Sequence, residues 1–141
     1  MNYETPVKVI MSRRIVSLKA SDSFDAVKKI FRENDFHHIP IVDDKGEVQG
    51  IISKENWLRD LRNITLETSG KIWTKRYYDS LTAGELMTPK PMIFDPEDTV
   101  KQAANIFMAN LFHALPIVED GQLIGIITTH DLLKYAFADR T

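Results

Sequence analysis

Apolar positions along the chain form the same succession of patterns twice. Between residues 24 and 31, and again between 100 and 111, apolar side chains recur at steps of three and four, which predicts amphipathic helices. Each helical pattern is followed by two short apolar runs on either side of a turn, and then by a second helical pattern. With an opening strand, each half therefore predicts the order β-α-β-β-α and an α+β fold. The apolar runs lie at 38–42, 48–52, 114–118 and 123–127.

A direct comparison of the two halves shows an internal repeat. When the chain is shifted by 76 residues, 11 of the 34 positions between 11 and 44 are identical, whereas average residue usage gives about two by chance. Beyond Lys45 the shift falls to 75, because the first half has one more residue in its turn. We predict a first repeat over residues 6–62, an insertion at 63–80 and a second repeat over residues 81–141.

Polar residues at the ends of the predicted helices indicate where those helices begin and end. Ser23 and Thr99 are candidate N-caps, and Gln102 completes a capping box with Thr99. Asn34 and Asn110 stand where a residue in the left-handed conformation ends a helix.

Short helices are expected to lead into each repeat. Thr5-Pro6 places a capping residue before a proline at the first helical position, and Thr82 with Glu85 forms another capping box. Within the insertion, the Thr, Ser and Gly content of residues 64–70 predicts a loop. Packing against another part of the protein is predicted for the aromatic residues Trp73, Tyr77 and Tyr78.

The strands carry their own local signals. Asp120-Gly121 is typical of a tight hairpin turn. Pro40 and Pro116 lack a backbone donor, so we expect each at the start of its strand or on an edge strand.

Composition and charge narrow the classes of partner. The 141 residues include 18 Lys+Arg and 20 Asp+Glu, for a formal net charge of -2, with no block of basic residues. We therefore expect no nucleic-acid partner and no binding to an acidic membrane. The absence of cysteine excludes disulfides, thiolate zinc sites and a cysteine nucleophile. The first residues lack a signal pattern and no apolar run approaches the roughly 20 residues of a membrane-spanning helix, so a cytoplasmic protein is expected.

A motif shared by the two halves carries a family resemblance. Gly50 and Gly125 each precede an apolar pair, a Ser or Thr, two further residues and then Asn56 or Asp131. An apolar-Pro-apolar-apolar run and a Gly turn come before each motif, and Met11-Ser12 and Met87-Thr88 precede the helices. This pattern resembles the CBS domain, and two in tandem resemble a Bateman module, here as a stand-alone tandem CBS protein.

The resemblance implies an architecture and a ligand class. Two β-α-β-β-α units would pack through their sheets about a pseudo-twofold axis and leave two clefts. Such clefts commonly bind AMP, ADP, ATP or S-adenosylmethionine, and such modules often form dimers. An adenosine phosphate needs an apolar slot for the base, a carboxylate or amide for the ribose hydroxyls, and oriented donors for the phosphate.

The second repeat offers each of these groups. Asp131, in the first turn of the last helix, matches the family aspartate that takes the ribose hydroxyls. Thr128 lies beside helix amides that favour an anion, and His113 and His130 are further candidate donors. Thr128 and Asp131 also form an ordinary capping box, so a purely structural role is the alternative. The family positions that commonly sandwich or edge the base are Met92, Ile93, Leu115 and Pro116.

The first repeat departs from the pattern. Ser53 and Asn56 stand where the second repeat has Thr128 and Asp131, and an amide lacks the charge-assisted strength of a carboxylate. This site is therefore expected to be weaker, differently selective or empty. Candidate donors on the phosphate side are Ser12, Arg13, Arg14 and His38, with solvated surface charge as the alternative for the two arginines.

Other chemistry is not indicated. His37-His38, with His113 and His130, suggests a metal, but no carboxylate or thiolate stands at the spacing of a known motif, so no metal site is predicted. No catalytic motif is present, and no enzyme is predicted.

We therefore expect a regulatory module that binds an adenine nucleotide reversibly, requires no cofactor and signals by a change of conformation or dimer. The chain shows no effector domain, so a separate effector protein is expected, together with a homodimer. The alternative from another class is a scaffold or dimerisation module without a working nucleotide site.

Overall fold

The computed structural model describes residues 1–68, 77 and 79–138. Within them the fold is α+β, as predicted, with short antiparallel sheets and short helices. The predicted opening strand of each repeat is reduced to a single parallel bridge, Leu18 to Ile41 and Phe94 to Ile117. The helices are α1 (Phe24–Glu33), α2 (Lys54–Thr68), α3 (Ala83–Leu86), α4 (Val100–Met108) and α5 (Thr129–Ala136). The strands are β1 (His38–Val42), β2 (Val48–Ser53), β3 (Thr88–Pro89), β4 (Ala114–Glu119) and β5 (Gln122–Thr128).

The chain divides into two compact units, whose boundaries differ from those of the two predicted repeats. The first-repeat unit is Val16–Lys90, and its sheet has the order β1-β2-β3. The second-repeat unit combines Met1–Ile15 with Pro91–Thr141, and its sheet pairs β4 with β5. The first residues of the chain therefore belong with the second repeat. Residues 2–12 are called the leading segment below.

Helix starts follow the predicted caps. The Ser23 side chain accepts a hydrogen bond from Ala26 N at 3.2 Å, and Thr99 forms a reciprocal capping box with Gln102. Thr82 and Glu85 form the same box at the start of α3. These three predictions are confirmed because a cap depends only on residues within one turn.

Helix ends were predicted less well. Asn110 is left-handed, with φ 61°, as expected. Asn34 is instead extended, with φ -136°, so that prediction is wrong. Its side-chain amide and its backbone N–H both donate to the carbonyl oxygen of Ile30, at 3.0 and 3.2 Å. Satisfying that carbonyl from an extended backbone removes the need for a left-handed residue.

Two further local predictions are corrected. Residues 64–68 are helical, because α2 continues to Thr68, whereas a loop was predicted over 64–70. The stretch 64–68 contains neither Gly nor Pro, and the weak helix preference of Thr does not stop a helix that has already begun. Pro6 is the N-cap residue of a 3-10 turn at Val7–Val9 rather than its first helical residue.

The insertion was also expected to pack through aromatic residues. Tyr77 is 47% exposed, whereas Trp73 and Tyr78 lie outside the described residues.

The hairpins and prolines agree with the sequence predictions. Asp120 and Gly121 both have positive φ, 52° and 79°, and join β4 to β5 in a tight turn. Pro40 and Pro116 occupy equivalent places on β1 and β4, which end the strand order of their sheets. Each proline directs its carbonyl towards a single bridging residue on the outer side of its strand, Leu18 for Pro40 and Phe94 for Pro116.

Each unit has its own hydrophobic core. In the first-repeat unit, α1 packs its apolar face against the sheet and against Trp57, whose ring lies 6.0 Å from that of Phe24 and 5.3 Å from that of Phe31. In the second-repeat unit, the leading segment contributes Val7 and Met11 to the core. The core therefore includes residues that are distant in sequence from the strands they cover.

Candidate functional site

Asp131 is the buried charged residue of the described chain, at 8% exposure. It is the third residue of α5, which begins at Thr129 after the N-cap Thr128. Its Oδ2 accepts from the backbone N–H of Thr128 at 2.9 Å and from the Thr128 hydroxyl at 3.1 Å, while Asp131 N donates back to Thr128 Oγ1 at 3.3 Å. The capping box considered from sequence is therefore present.

A third donor reaches Asp131 from the opposite end of the chain. The Ser12 hydroxyl donates to Asp131 Oδ1 at 3.0 Å, across 119 residues of sequence. Ser12 is placed by two backbone hydrogen bonds with Ile126 of β5, of 2.8 and 3.0 Å. Ser12, the last residue of the leading segment, thus forms a single antiparallel bridge with β5 and brings a hydroxyl to the start of α5.

Gly125 allows this close approach. A Cβ atom at Gly125 would lie 2.4 Å from Met11 Sδ and 3.1 Å from the Ser12 carbonyl oxygen, well inside ordinary van der Waals contact. Gly50 has the same relation to Met87 in the first-repeat unit, where the distance to Sδ would also be 2.4 Å. The repeated glycine in the motif is therefore explained by strand pairing with a Met-Ser or Met-Thr segment.

The sequence prediction placed Ser12 on the phosphate side and did not identify its bond to Asp131. A signal for the pairing was present, because Gly125 and Met11 each have a counterpart at the equivalent position of the other repeat. The pattern did not show which Met-containing segment lies beside which glycine.

The arrangement leaves limited hydrogen-bonding capacity at the carboxylate. Two oxygens accept about four hydrogen bonds in total, and three donors are already present. One acceptor position remains on Oδ1, beside the Ser12 oxygen. Because the single hydroxyl hydrogen of Ser12 is already used in its hydrogen bond to Asp131, the Ser12 oxygen can only accept a hydrogen bond from a further partner.

The other predicted residues of the second repeat differ in accessibility. His113, His130 and Arg13 are exposed on the surface. Met92 is 38% exposed and Ile93 is 50% exposed, just before Phe94, which bridges to β4. Leu115 and Pro116 are buried within β4. The structure brings Ser12, Thr128 and Asp131 into direct contact, and ligand contacts by the remaining residues stay a prediction.

The equivalent position in the first-repeat unit is built differently. Ser53 Oγ accepts from the backbone N–H of Asn56 at 3.1 Å, but the Asn56 side-chain oxygen accepts from Arg59 Nη2 at 3.0 Å. No hydrogen bond joins Asn56 to Thr88, the counterpart of Ser12 in this part of the described chain. His38 is half-buried in the same unit, at the start of β1.

Neither a metal-binding cluster nor a membrane-spanning helix is found among the residues that the structure describes. There, no group of three or more His, Cys, Asp or Glu side chains is arranged to hold a metal ion. None of the described helices combines the length and apolarity needed to cross a bilayer.

Comparison with known proteins is consistent with this geometry. An uncharacterised protein of Methanocaldococcus jannaschii is 28% identical over 152 residues, with 91% of this chain and 89% of that protein covered. The crystal structure of CBSX2 in complex with AMP has a TM-score of 0.75 at 28% identity and covers 93% of this chain and 95% of that chain. An uncharacterised conserved protein from Pyrococcus horikoshii has a TM-score of 0.79 at 20% identity, covers 100% of this chain and 98% of that chain, and shows the fold alone.

The duplicated α+β unit, with a Gly in the second strand of each hairpin and a capped helix after it, defines a tandem-repeat protein. The family model for the CBS domain matches residues 7–63 and 83–138, which is most of the chain. The chain therefore belongs to the CBS domain family and contains two copies of that domain, as the resemblance predicted.

Proposed function

We propose that this protein is a non-catalytic regulatory module that binds an adenosine-type ligand, AMP, ADP, ATP or S-adenosylmethionine, at the start of α5. The observation that carries the proposal is the buried Asp131 carboxylate, held by the Ser12 and Thr128 hydroxyls. A carboxylate with one remaining acceptor position, beside another acceptor oxygen, suits a ribose hydroxyl pair. The similarity to CBSX2, whose structure contains AMP, supports the choice of ligand class.

The start of α5 also provides for a negative group. The first N–H groups of a helix point along its axis towards the N-terminus, have no partner within the helix and, together with the helix dipole, favour an anion. His130 is exposed within the first turn and can donate to a phosphate. We assign the adenosine phosphate to this end of the second-repeat unit.

Signalling follows from differential affinity. A ligand that binds one conformation or one dimer more tightly than another shifts the population towards it, and a ligand of equal affinity for both changes nothing. A homodimer is part of the proposal. It is supported by the exposed Leu58 and Leu133, which stand at equivalent positions on α2 and α5 and are 50% and 52% exposed.

Thermal unfolding with a panel of nucleotides tests the ligand. At about 100 times its Kd, a ligand adds roughly 2.7 kcal/mol of stability, which raises the melting temperature by several degrees. We expect such a shift for AMP or another member of the panel with the wild-type protein. Asp131→Ala should abolish it.

A matched control separates loss of a ligand contact from loss of a cap. Asp131→Ala also removes a capping box, which by itself costs about 1 kcal/mol. Gln102→Ala removes the same box from α4 in the same unit, away from Ser12. It should lower the baseline melting temperature and leave the ligand shift intact. Equal losses of the shift in both variants would contradict a ligand role for Asp131.

One observation favours a second candidate, a scaffold or dimerisation module. Asp131 already has three internal donors, and the Asn56 oxygen is occupied by Arg59. If no adenosine ligand shifts the melting temperature of the wild-type protein, the scaffold function replaces the ligand-binding one.

A further inference from the structure

We propose that Ser12 is a specificity-determining residue that, together with Asp131, selects ligands carrying an intact ribose 2′,3′-diol. One ribose hydroxyl donates to Asp131 Oδ1 and the neighbouring hydroxyl donates to Ser12 Oγ. The inference rests on the proposed function and assigns Ser12 to the sugar rather than to the phosphate.

The first step is a count of acceptors. Both positions of Oδ2 are filled by Thr128, and one position of Oδ1 is filled by Ser12. A vicinal diol presents two donors, so the single position left on Asp131 satisfies only one of them. The second donor needs another acceptor beside Oδ1.

Ser12 supplies that acceptor. Its Oγ lies 3.0 Å from Oδ1, close to the spacing of neighbouring hydroxyl oxygens on a sugar ring. Since its proton is donated to the carboxylate, Oγ presents lone pairs and no donor. The two oxygens therefore form an acceptor pair that matches two adjacent O–H groups.

Both members of the pair are fixed before ligand arrives. Ser12 is held by its two backbone hydrogen bonds with Ile126, and Asp131 by its reciprocal box with Thr128. Groups held in place in advance lose little conformational freedom on binding, which favours discrimination between similar ligands.

The first-repeat unit provides an internal comparison. Thr88 pairs with Ile51 as Ser12 pairs with Ile126, but the Asn56 oxygen accepts from Arg59 instead. No acceptor pair of this kind forms there among the described residues. A change at Thr88 is therefore a control that alters an equivalent strand position without altering the diol pair.

The test measures binding of AMP, 2′-deoxy-AMP and 3′-deoxy-AMP by isothermal titration calorimetry to the full chain. The wild-type protein should bind each deoxy analogue about tenfold or more weakly than AMP, because each leaves one acceptor without its donor. Ser12→Val removes the hydroxyl but still places a side chain beside Asp131, so the position is not left empty. This variant should bind AMP about tenfold more weakly and lose discrimination against one of the two analogues.

Two further variants complete the design. Ser12→Thr has the shape of Ser12→Val and retains the hydroxyl, so it should keep the wild-type preference. Thr88→Val should match the wild-type protein for all three ligands. A general structural disturbance would weaken the three ligands equally and leave their ratios unchanged.

The outcomes separate the two proposals. If AMP binds and Ser12→Val retains the wild-type ratio for both analogues, the role of Ser12 is overturned and the proposed function stands. If none of AMP, ADP, ATP and S-adenosylmethionine binds the wild-type protein, both proposals fall together. If one of the others binds in place of AMP, its 2′-deoxy and 3′-deoxy forms replace the AMP analogues in the same comparison, with the same expected ratios.

Discussion

Gly125→Ala is expected to detach the leading segment from β5. The added Cβ would meet Met11 Sδ at 2.4 Å, whereas ordinary contact begins near 3.4 Å, so one partner must move by about 1 Å. Met11 is only 7% exposed and belongs to the core of the second-repeat unit. The side chain therefore has little free space, and the Ser12 carbonyl oxygen, at 3.1 Å, is backbone.

The cost can be estimated from these contacts. Overpacking a core typically destabilises by about 1–3 kcal/mol, and moving the segment instead sacrifices two Ser12–Ile126 backbone hydrogen bonds, each worth about 1 kcal/mol net. Replacing Gly with Ala also stabilises the folded state by about 0.4–1 kcal/mol, because it lowers the conformational entropy of the unfolded chain. We expect a net loss of about 1–1.5 kcal/mol.

Urea unfolding followed by circular dichroism measures this loss, and a double-mutant cycle tests its cause. Met11→Ala alone should cost about 2–5 kcal/mol, because it empties a buried site. In the double variant, part of the space vacated by the Met11 side chain accepts the methyl group added at residue 125. The double variant should therefore be more stable than the sum of the two single effects predicts. Strict additivity would refute the steric explanation.

A second readout links the same change to the site. Moving Ser12 breaks its bond to Asp131, so Gly125→Ala should weaken AMP binding as well as stability. Gly50→Ala creates the equivalent contact with Met87 in the first-repeat unit and should destabilise by a similar amount. Its AMP affinity should stay close to wild type, and an equal loss in both variants would contradict a site at Asp131.

Three further predictions concern stability. Trp57→Phe should change the free energy of unfolding by less than about 1 kcal/mol, because Trp57 Nε1 is buried without a hydrogen-bond partner among the described residues, and removing this polar group offsets the loss of buried apolar area. Trp57→Ala should instead cost about 3–5 kcal/mol in urea unfolding. Thr99→Ala should lower the free energy of unfolding by about 1 kcal/mol in the same assay, because it removes the cap of α4. An unchanged free energy of unfolding would contradict a stabilising capping box between Thr99 and Gln102. The hydrogen bond and charge of Lys19 lower the pKa of Asp44, so the pair contributes stability at neutral pH that is lost as pH falls through that lowered pKa. The free energies of unfolding of the wild-type protein and of Asp44→Asn should therefore converge in acid and in 1 M salt. A difference in stability that persists under those conditions would exclude the ion pair as its cause.

Much of the fold was predictable because its signals are local. The boxes at Thr82, Thr99 and Thr128 each depend on a partner three residues away. The Asp120-Gly121 turn depends on two adjacent residues that tolerate positive φ. Patterns of this length are visible in a sequence because nothing distant has to be known.

The local signals failed where two conformations satisfy the same group. Asn34 satisfies the last carbonyl of α1 with its side chain while remaining extended, whereas Asn110 adopts the left-handed conformation. Residues 64–68 combine residues of moderate helix preference with no true helix breaker, and the helix continues through them. Composition alone does not decide between such alternatives.

The candidate site was predictable only in part. The three-residue spacing of Thr128 and Asp131 is enough to indicate both the cap and the candidate ligand group. The bond from Ser12 to Asp131 joins residues 119 positions apart, and no local pattern shows it.

By itself, then, the sequence determined the duplication, the hairpins and the helix caps, because each depends on neighbours a few residues apart. Only the tertiary structure decided that residues 1–15 complete the second-repeat unit and that Ser12 meets Asp131. The physical reason is that strand pairing beside β5 is set by backbone hydrogen bonds and by the space above Gly125, and both require the chain to have folded back on itself.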